Sequence, residues 1–203
     1  MAEKRLTAAE RRSQLIAVGR TVFAERGYDG ASVEEIAERA GVSKPIVYEH
    51  FGGKEGLYAV VVDREMDHVI TSIAAAISQG PPRDRLGGAT LAFLNYVKEE
   101  PEGFAVLSRD VPAKVGMASL LADVGTQVGD VFAAEFKRAG YDPKAAPIYA
   151  QALIGMVSYV GQWWTENQKR DIEDIAAHVT ALAWMGLRHL PRKPERLPRL
   201  STD

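Results

Sequence analysis

Three helix-start signals, each closed by glycine, fall within the first 55 residues and constrain the fold more than any other feature. Thr7 with Glu10 three residues on has capping-box spacing, in which hydroxyl and carboxylate each reach an otherwise unpaired backbone N–H. Leu15, Ile16, Val18, Val22 and Phe23 then recur at helical spacing up to Gly27, which suits a left-handed cap, so a first helix is expected over about 7–26. Ser32 and Glu35 repeat the box ahead of Ile36, Ala37 and Ala40, a short helix ending at Gly41. Ser43 is a third N-cap, with Pro45 in the first turn where its missing N–H costs nothing, and Gly52-Gly53 closes that helix.

Helical periodicity continues at 54–78, 83–99, 102–109, 114–139, 144–167 and 171–189, broken at Gly80-Pro81-Pro82, Gly140, Pro143, Pro147 and around Asn167. No strand-like alternation competes, and there is no internal repeat. The expectation is an all-α chain of about nine helices: a three-helix N-terminal domain over 1–53, a helical body over 54–190, and a basic, proline-containing tail over 191–203.

Charge narrows the function classes. With 25 Lys and Arg against 27 Asp and Glu, the chain is no general polycation, so any nucleic-acid binding must be local and patterned. Absent cysteines exclude disulfides, thiolate chemistry and Cys-ligated zinc. No signal peptide is evident, and the uncharged run 149–164 is short for a bilayer, so a cytoplasmic protein without membrane contact is expected.

Residues 33–51 have the spacing of two short helices crossing through a tight turn, a helix-turn-helix. Val33, Ile36, Ala40, Val42 and Val47 supply the shared core, Ala37 permits close approach, and Gly41 takes the turn. The second helix then presents Ser43, Lys44, Pro45 and Ile46 at its N-terminal end, the part that meets base edges in a major groove, with Ile46 suited to a thymine methyl. Ser32, Tyr48, His50 and Lys54 are candidate phosphate contacts. Lys4 and Arg5 ahead of the first helix form a candidate minor-groove arm.

In order, Phe23, Gly27, Tyr28, Ser32, Val33, Ile36, Ala37, Ala40, Gly41, Val42, Ser43, Tyr48, His50, Phe51, Lys54, Glu55 and Leu57 resemble the TetR family of bacterial transcriptional regulators, over roughly the first 60 residues. One departure is Gly53, where many relatives have a polar cap before the lysine. The resemblance implies a DNA-binding domain of helices 1–3, a linking helix 4, and a body whose last two long helices dimerise.

The body fits that implication. Phe93, Tyr96, Phe104, Met117, Leu121, Met156 and Trp163 are adaptable apolar candidates for an effector pocket, with Asn95, Gln127, Gln162 and Asn167 as candidate polar anchors. Ala152 and Gly155, with Ile175, Val179, Leu182 and Gly186, make apolar or small stripes suited to a four-helix dimer interface. Catalysis is unsupported: Glu65 and His68 have di-iron spacing, but no other histidine has a glutamate three positions before it, and no phosphate loop or nucleophile elbow occurs. Neither metal nor cofactor is expected. The expected function is a homodimeric regulator, a repressor, that holds a palindromic double-stranded DNA operator and releases it when a small-molecule effector binds. The rivals are a DNA-architectural binder without effector and a helical-bundle enzyme.

Overall fold

A computed structural model describes residues 6–108 and 117–195, with side chains of helix 117–139 described from 124 onward. Nine α-helices occur among the described residues: α1 (Ala8–Gly30), α2 (Val33–Arg39), α3 (Lys44–Phe51), α4 (Lys54–Ile77), α5 (Pro82–Glu99), α6 (Pro101–Ser108), α7 (Met117–Ala139), α8 (Ala146–Glu166) and α9 (Ile172–Arg188). No strand is present among them.

The caps explain these boundaries. At Thr7 both halves of the capping box form, Glu10 N donating to Thr7 Oγ1 at 3.2 Å and Thr7 N to Glu10 Oε2 at 2.8 Å. Gly27 does not end α1 outright. Its φ of 69° and ψ of 176° kink the helix, and a further turn runs on to Gly30. At Ser32 only half of the expected box exists: Ser32 Oγ accepts from Glu35 N, while the Glu35 carboxylate turns away to Arg39 and Arg26. Gly41 has φ of 64°, and Val42 N donates to Ala37 O across the turn, a helix ending that requires the left-handed region at this position. A 3-10 turn at Pro143–Ala145, absent from the sequence reading, precedes α8.

One apolar core runs through the chain. Leu15, Val22 and Phe23 of α1 meet Ile36 of α2, Val47 of α3 and Leu57, Tyr58 and Val61 of α4, and the same cluster continues to Leu94 and Val97 of α5, Leu107 of α6 and Ile172 of α9. Helix α4 therefore belongs to both ends of the molecule. Phe23, Tyr28 and Tyr58 pack edge to face or stacked, with Tyr58 Oη donating to Val106 O on α6.

A buried ionic cluster joins the two ends. Arg20 of α1 reaches Glu65 of α4 at 2.8 Å and Glu100, which closes α5, at 2.5 Å, with Glu102 of α6 at 4.0 Å. Tyr96 Oη donates to Glu65 Oε2 at 2.8 Å, and His68 lies edge-on to the Tyr96 ring. Glu65, the acidic half of the spacing weighed for metal binding, is thus committed to an ion pair and a hydrogen bond.

Gly103 is pressed against this cluster: a Cβ there would lie 1.9 Å from Glu65 Oε2 and 2.6 Å from Tyr96 Oη. Gly103→Ala is expected to destabilise the chain by about 1–3 kcal/mol, the usual cost of overpacking, measured by urea denaturation. Burial also pushes the Tyr58 hydroxyl up to about 12 from its ordinary 10, and burial, with the Glu65 carboxylate, raises Tyr96 further. Both groups hold their protons longer folded than unfolded, so their contribution is intact below pH 10 and is lost as pH rises through about 12. Melting temperature should therefore fall steeply above pH 10, and less steeply in Tyr58→Phe.

Candidate nucleic-acid interface and effector cavity

The α2–turn–α3 unit leaves one end of α3 uncovered. Val47 is buried beneath the helix, while Ser43, Lys44, Pro45, Tyr48 and Glu49 are exposed along its outer face. Ser43 occupies the N-cap position but its side chain makes no capping hydrogen bond, which leaves its hydroxyl available to an anion, while Pro45 has no N–H and Ile46 N donates to Ser43 O at 3.0 Å. Ile46 is half-buried and packs on the core, so it offers the outer face only part of its surface. Tyr48 stands out from α3 beside Gly53, where a Cβ would meet its ring at 3.2 Å. Gly53 has φ of 126°, a conformation that favours glycine over the polar cap usual before this lysine.

Two basic candidates have partners already. Lys44 is paired on the surface with Glu34 of α2. Lys54 Nζ donates to Tyr28 O at 2.9 Å and Ala31 O at 3.2 Å and sits 4.4 Å from the Tyr28 ring centroid. Lys54 thus fastens the start of α4 to the α1–α2 turn, its Nζ already engaged by two backbone carbonyls. His50 is half-buried, and its carbonyl accepts from Arg12, whose guanidinium also lies over the Phe51 ring and anchors α3 to α1. Ser32 spends its hydroxyl on the α2 cap. Lys4 and Arg5 lie outside the described residues.

Behind this unit, α4, α5, α7, α8 and α9 enclose a cavity of about 330 Å³. Its walls include Val69 and Ile73 of α4, Leu86 and Phe93 of α5, Val128 and Phe132 of α7, Leu153 and Val157 of α8, and Trp184 and Leu187 of α9. Of the sequence candidates, Phe93 alone lines it. Tyr96 is turned to Glu65, Phe104 packs behind Phe93 at 6.2 Å, Met156 packs on the core, and Trp163 is half-exposed on the outer side of α8. The Met117 and Leu121 side chains are outside the described residues, and Asn95, Gln127, Gln162 and Asn167 do not line the cavity. The true lining residues carry the same 3.6-residue apolar period as the core, so periodicity could not single them out.

The outer faces of α8 and α9 carry a second feature. Ile148, Ala152, Gly155 and Tyr159 follow one stripe of α8, and Leu182, Met185 and Gly186 one stripe of α9, all exposed, with Tyr159 at 74% and Leu182 at 69%. Nothing stands within 4 Å of where a Cβ at Gly155 or Gly186 would sit. Ile175 and Val179 correct the expected interface: both are buried in their own chain, because α9 turns that stripe against the core it shares with α5. Among the described residues no helix is long and apolar enough to cross a membrane.

A family model described as bacterial regulatory proteins of the tetR family matches residues 15–61. The HTH-type transcriptional activator FasR of Mycolicibacterium smegmatis is 31% identical over 191 residues, covering 92% of this chain and 87% of that protein. The HTH-type transcriptional repressor AcnR of Corynebacterium jeikeium is 36% identical over 58 residues, 29% of this chain and 31% of that one. A solved TetR-like transcriptional regulator from Rhodococcus sp. RHA1 superposes with a TM-score of 0.75 at 26% identity, covering 92% of this chain and all of that one.

Glu34 and Lys54 give the reading surface opposite tests. Glu34→Gln frees Lys44 and removes a negative charge beside it, so DNA affinity should rise by up to roughly fivefold, within the energy of an exposed pair. Lys54→Ala should instead cost about 1–2 kcal/mol of folding stability, because it strips two backbone carbonyls of their donor, and should leave the salt dependence of DNA binding unchanged. Fluorescence anisotropy across a salt series, beside urea denaturation, separates the two; a shallower salt slope in Lys54→Ala would return that lysine to the phosphate backbone.

Proposed function

The chain belongs to the TetR family of bacterial transcriptional regulators, and on that premise we propose that it is a homodimeric, effector-responsive DNA-binding regulator. The observation that carries this reading is the coexistence, in one chain, of an uncovered α3 end, a half-open apolar cavity between helices and an apolar outer face on α8–α9.

The α8–α9 stripe is the proposed dimer seam. Large apolar side chains exposed together mark association surfaces, and glycines among them let a second helix pair come close. Two copies related by a two-fold axis present two α3 helices, whose half-sites fall about 34–36 Å apart or a multiple of it. Ser43, Lys44, Pro45 and the exposed part of Ile46 are the proposed base-reading group, with Tyr48, His50 and Ser32 beside the backbone and Lys4 and Arg5 as an arm.

Coupling runs through packed side chains. Phe93 forms a cavity wall, Phe104 of α6 stacks edge-on behind it, and Glu102 two residues earlier accepts from Thr21 of α1 at 3.2 Å and lies beside Arg20. An occupant that displaces Phe93 pushes on α6, and α6 is tied to α1. The effector then favours a spacing of the two α3 helices that no longer matches successive grooves, a population shift between two states. Repression by occupancy follows where the operator overlaps a promoter. FasR is named an activator and AcnR a repressor, so the sign of regulation goes with operator position.

Selection of bound fragments from random DNA should recover palindromes; asymmetric or sequence-indifferent fragments would favour an architectural binder. Leu182→Glu should yield monomers by sedimentation and lose operator binding. Val179→Glu places its charge in the chain's own core and should lower folding stability by several kcal/mol instead. A Leu182→Glu protein that remains dimeric would remove α9 from the seam.

A further inference from the structure

The cavity walls carry information about what fills them, on the reading that this is the effector site. Along α5 the lining positions are Pro82, Arg85, Leu86, Ala89, Thr90 and Phe93, one complete helical stripe. Eleven steps of 1.5 Å along α5, from Pro82 to Phe93, make a slot about 16 Å long. A slot of that length favours a chain lying along α5 over a compact ligand.

Charge is confined to one end. Among the described lining residues Arg85 is the only cation and Glu135 the only anion. Arg85 stands fifteen residues before Glu100, so it lies about 22 Å along α5 from the contact with α1. Its Nε donates to Ile77 O at 2.9 Å, while its Nη1 is 3.8 Å from Glu135, a loose pairing. Glu135 is held more closely, at 2.9 Å, by Arg138. The Arg192 guanidinium is also nearby, 3.9 Å from where a Cβ of Gly140 would be. Two guanidinium groups, Arg85 and Arg138, thus meet one lining carboxylate at this end, Arg192 lies near Gly140, and Asp142 is turned to the backbone N–H of Lys144. At the opposite end Phe93, Val69 and Val124 are hydrocarbon, and the Thr90 hydroxyl is bonded to Leu86 O.

We propose that the cavity binds a single-chain anionic amphiphile, its carboxylate or phosphate head at Arg85 and its hydrocarbon tail running along α5 toward Phe93. A planar guanidinium with spare donors matches either oxyanion. The tail supplies affinity by burial, and its far end touches the Phe93–Phe104 pair.

The test is calorimetric titration of the full chain, below micelle-forming concentrations, with straight-chain carboxylates of eight to fourteen carbons, dodecyl phosphate, dodecanol, dodecylamine and cholesterol. Carboxylates should bind with affinity rising about three- to fourfold per added CH₂ until the chain outgrows the slot. Dodecanol should bind roughly tenfold more weakly than dodecanoate, and dodecylamine more weakly still. Preference between dodecanoate and dodecyl phosphate distinguishes the two head chemistries. Arg85→Gln should lower dodecanoate affinity roughly tenfold and spare dodecanol, Arg85→Lys should restore most of the loss, and Leu153→Trp should abolish binding of every chain, with circular dichroism checking the fold of each. Dodecanol binding as tightly as dodecanoate, an equal effect of Arg85→Gln on both, or binding of cholesterol but no chain would overturn the proposal. Operator binding measured alongside keeps the two readings apart. A chain that binds without altering DNA affinity supports the ligand class and counts against effector coupling; normal operator binding with no chain bound overturns the ligand class alone.

Discussion

The Arg20–Glu65 pair holds the rest of the molecule in register. A carboxylate buried to 8% exposure is costly unless it is paired and hydrogen-bonded, and Glu65 meets that condition only when α1 brings Arg20, α5 brings Tyr96 and α6 brings Gly103 with no side chain in the way. Four helices must therefore be correctly placed before the charge is satisfied. An apolar junction of equal area would tolerate sliding, whereas this one specifies an angle between the DNA-reading unit and the body. A shift of α6 or α4 is consequently felt at α1 as a change of orientation.

Two demands compete inside the body. Helix α4 spends Leu57, Tyr58, Val61 and Val62 on a close-packed core and, from Val69 through Ile73 to Ile77, gives its inner face to the cavity. Unfilled apolar volume forfeits the contacts a packed core would make, at about 24 cal/mol per Å³ in engineered cavities. A space of 330 Å³ is therefore a stability cost, which any molecule bound in it would offset.

What the sequence revealed follows the same physics. Helix starts were legible because capping is local chemistry: Thr7 with Glu10, and Gly41 and Gly52 at positive φ, need no knowledge of the tertiary fold. Tertiary choices were not. Ile175, Val179 and Leu182 follow one apolar stripe of α9, buried in its first half and exposed in its second, and periodicity does not announce where along a stripe the chain's own core ends. Phe132 and Trp184 on the cavity and Phe104 in the packing behind it are likewise the same residue classes at the same spacing. The tie made by Lys54 is not legible because its partners are carbonyls of Tyr28 and Ala31, more than 20 residues away and invisible to any side-chain pattern.

Helix α9 brings these strands together. Trp184 and Leu187 line the cavity, Ile175 and Val179 in the first half of the helix fill the core beside α5, and Leu182, Met185 and Gly186 in its second half are exposed, so one helix serves three tasks. Helix α8 repeats the arrangement, with Leu153 and Val157 on the cavity, Tyr159 outward, and Gly161 so close to Phe93 that a Cβ would stand 2.8 Å from its ring. Phe93 is thereby gripped from the α8 side by a glycine with no slack and from the α6 side by Phe104. A wall residue held this tightly cannot yield to an occupant alone. It must carry α8 or α6 with it, and those two helices lead respectively to the outer apolar face and to Arg20. The outer face of α8–α9 and the junction with α1 are therefore joined mechanically through Phe93.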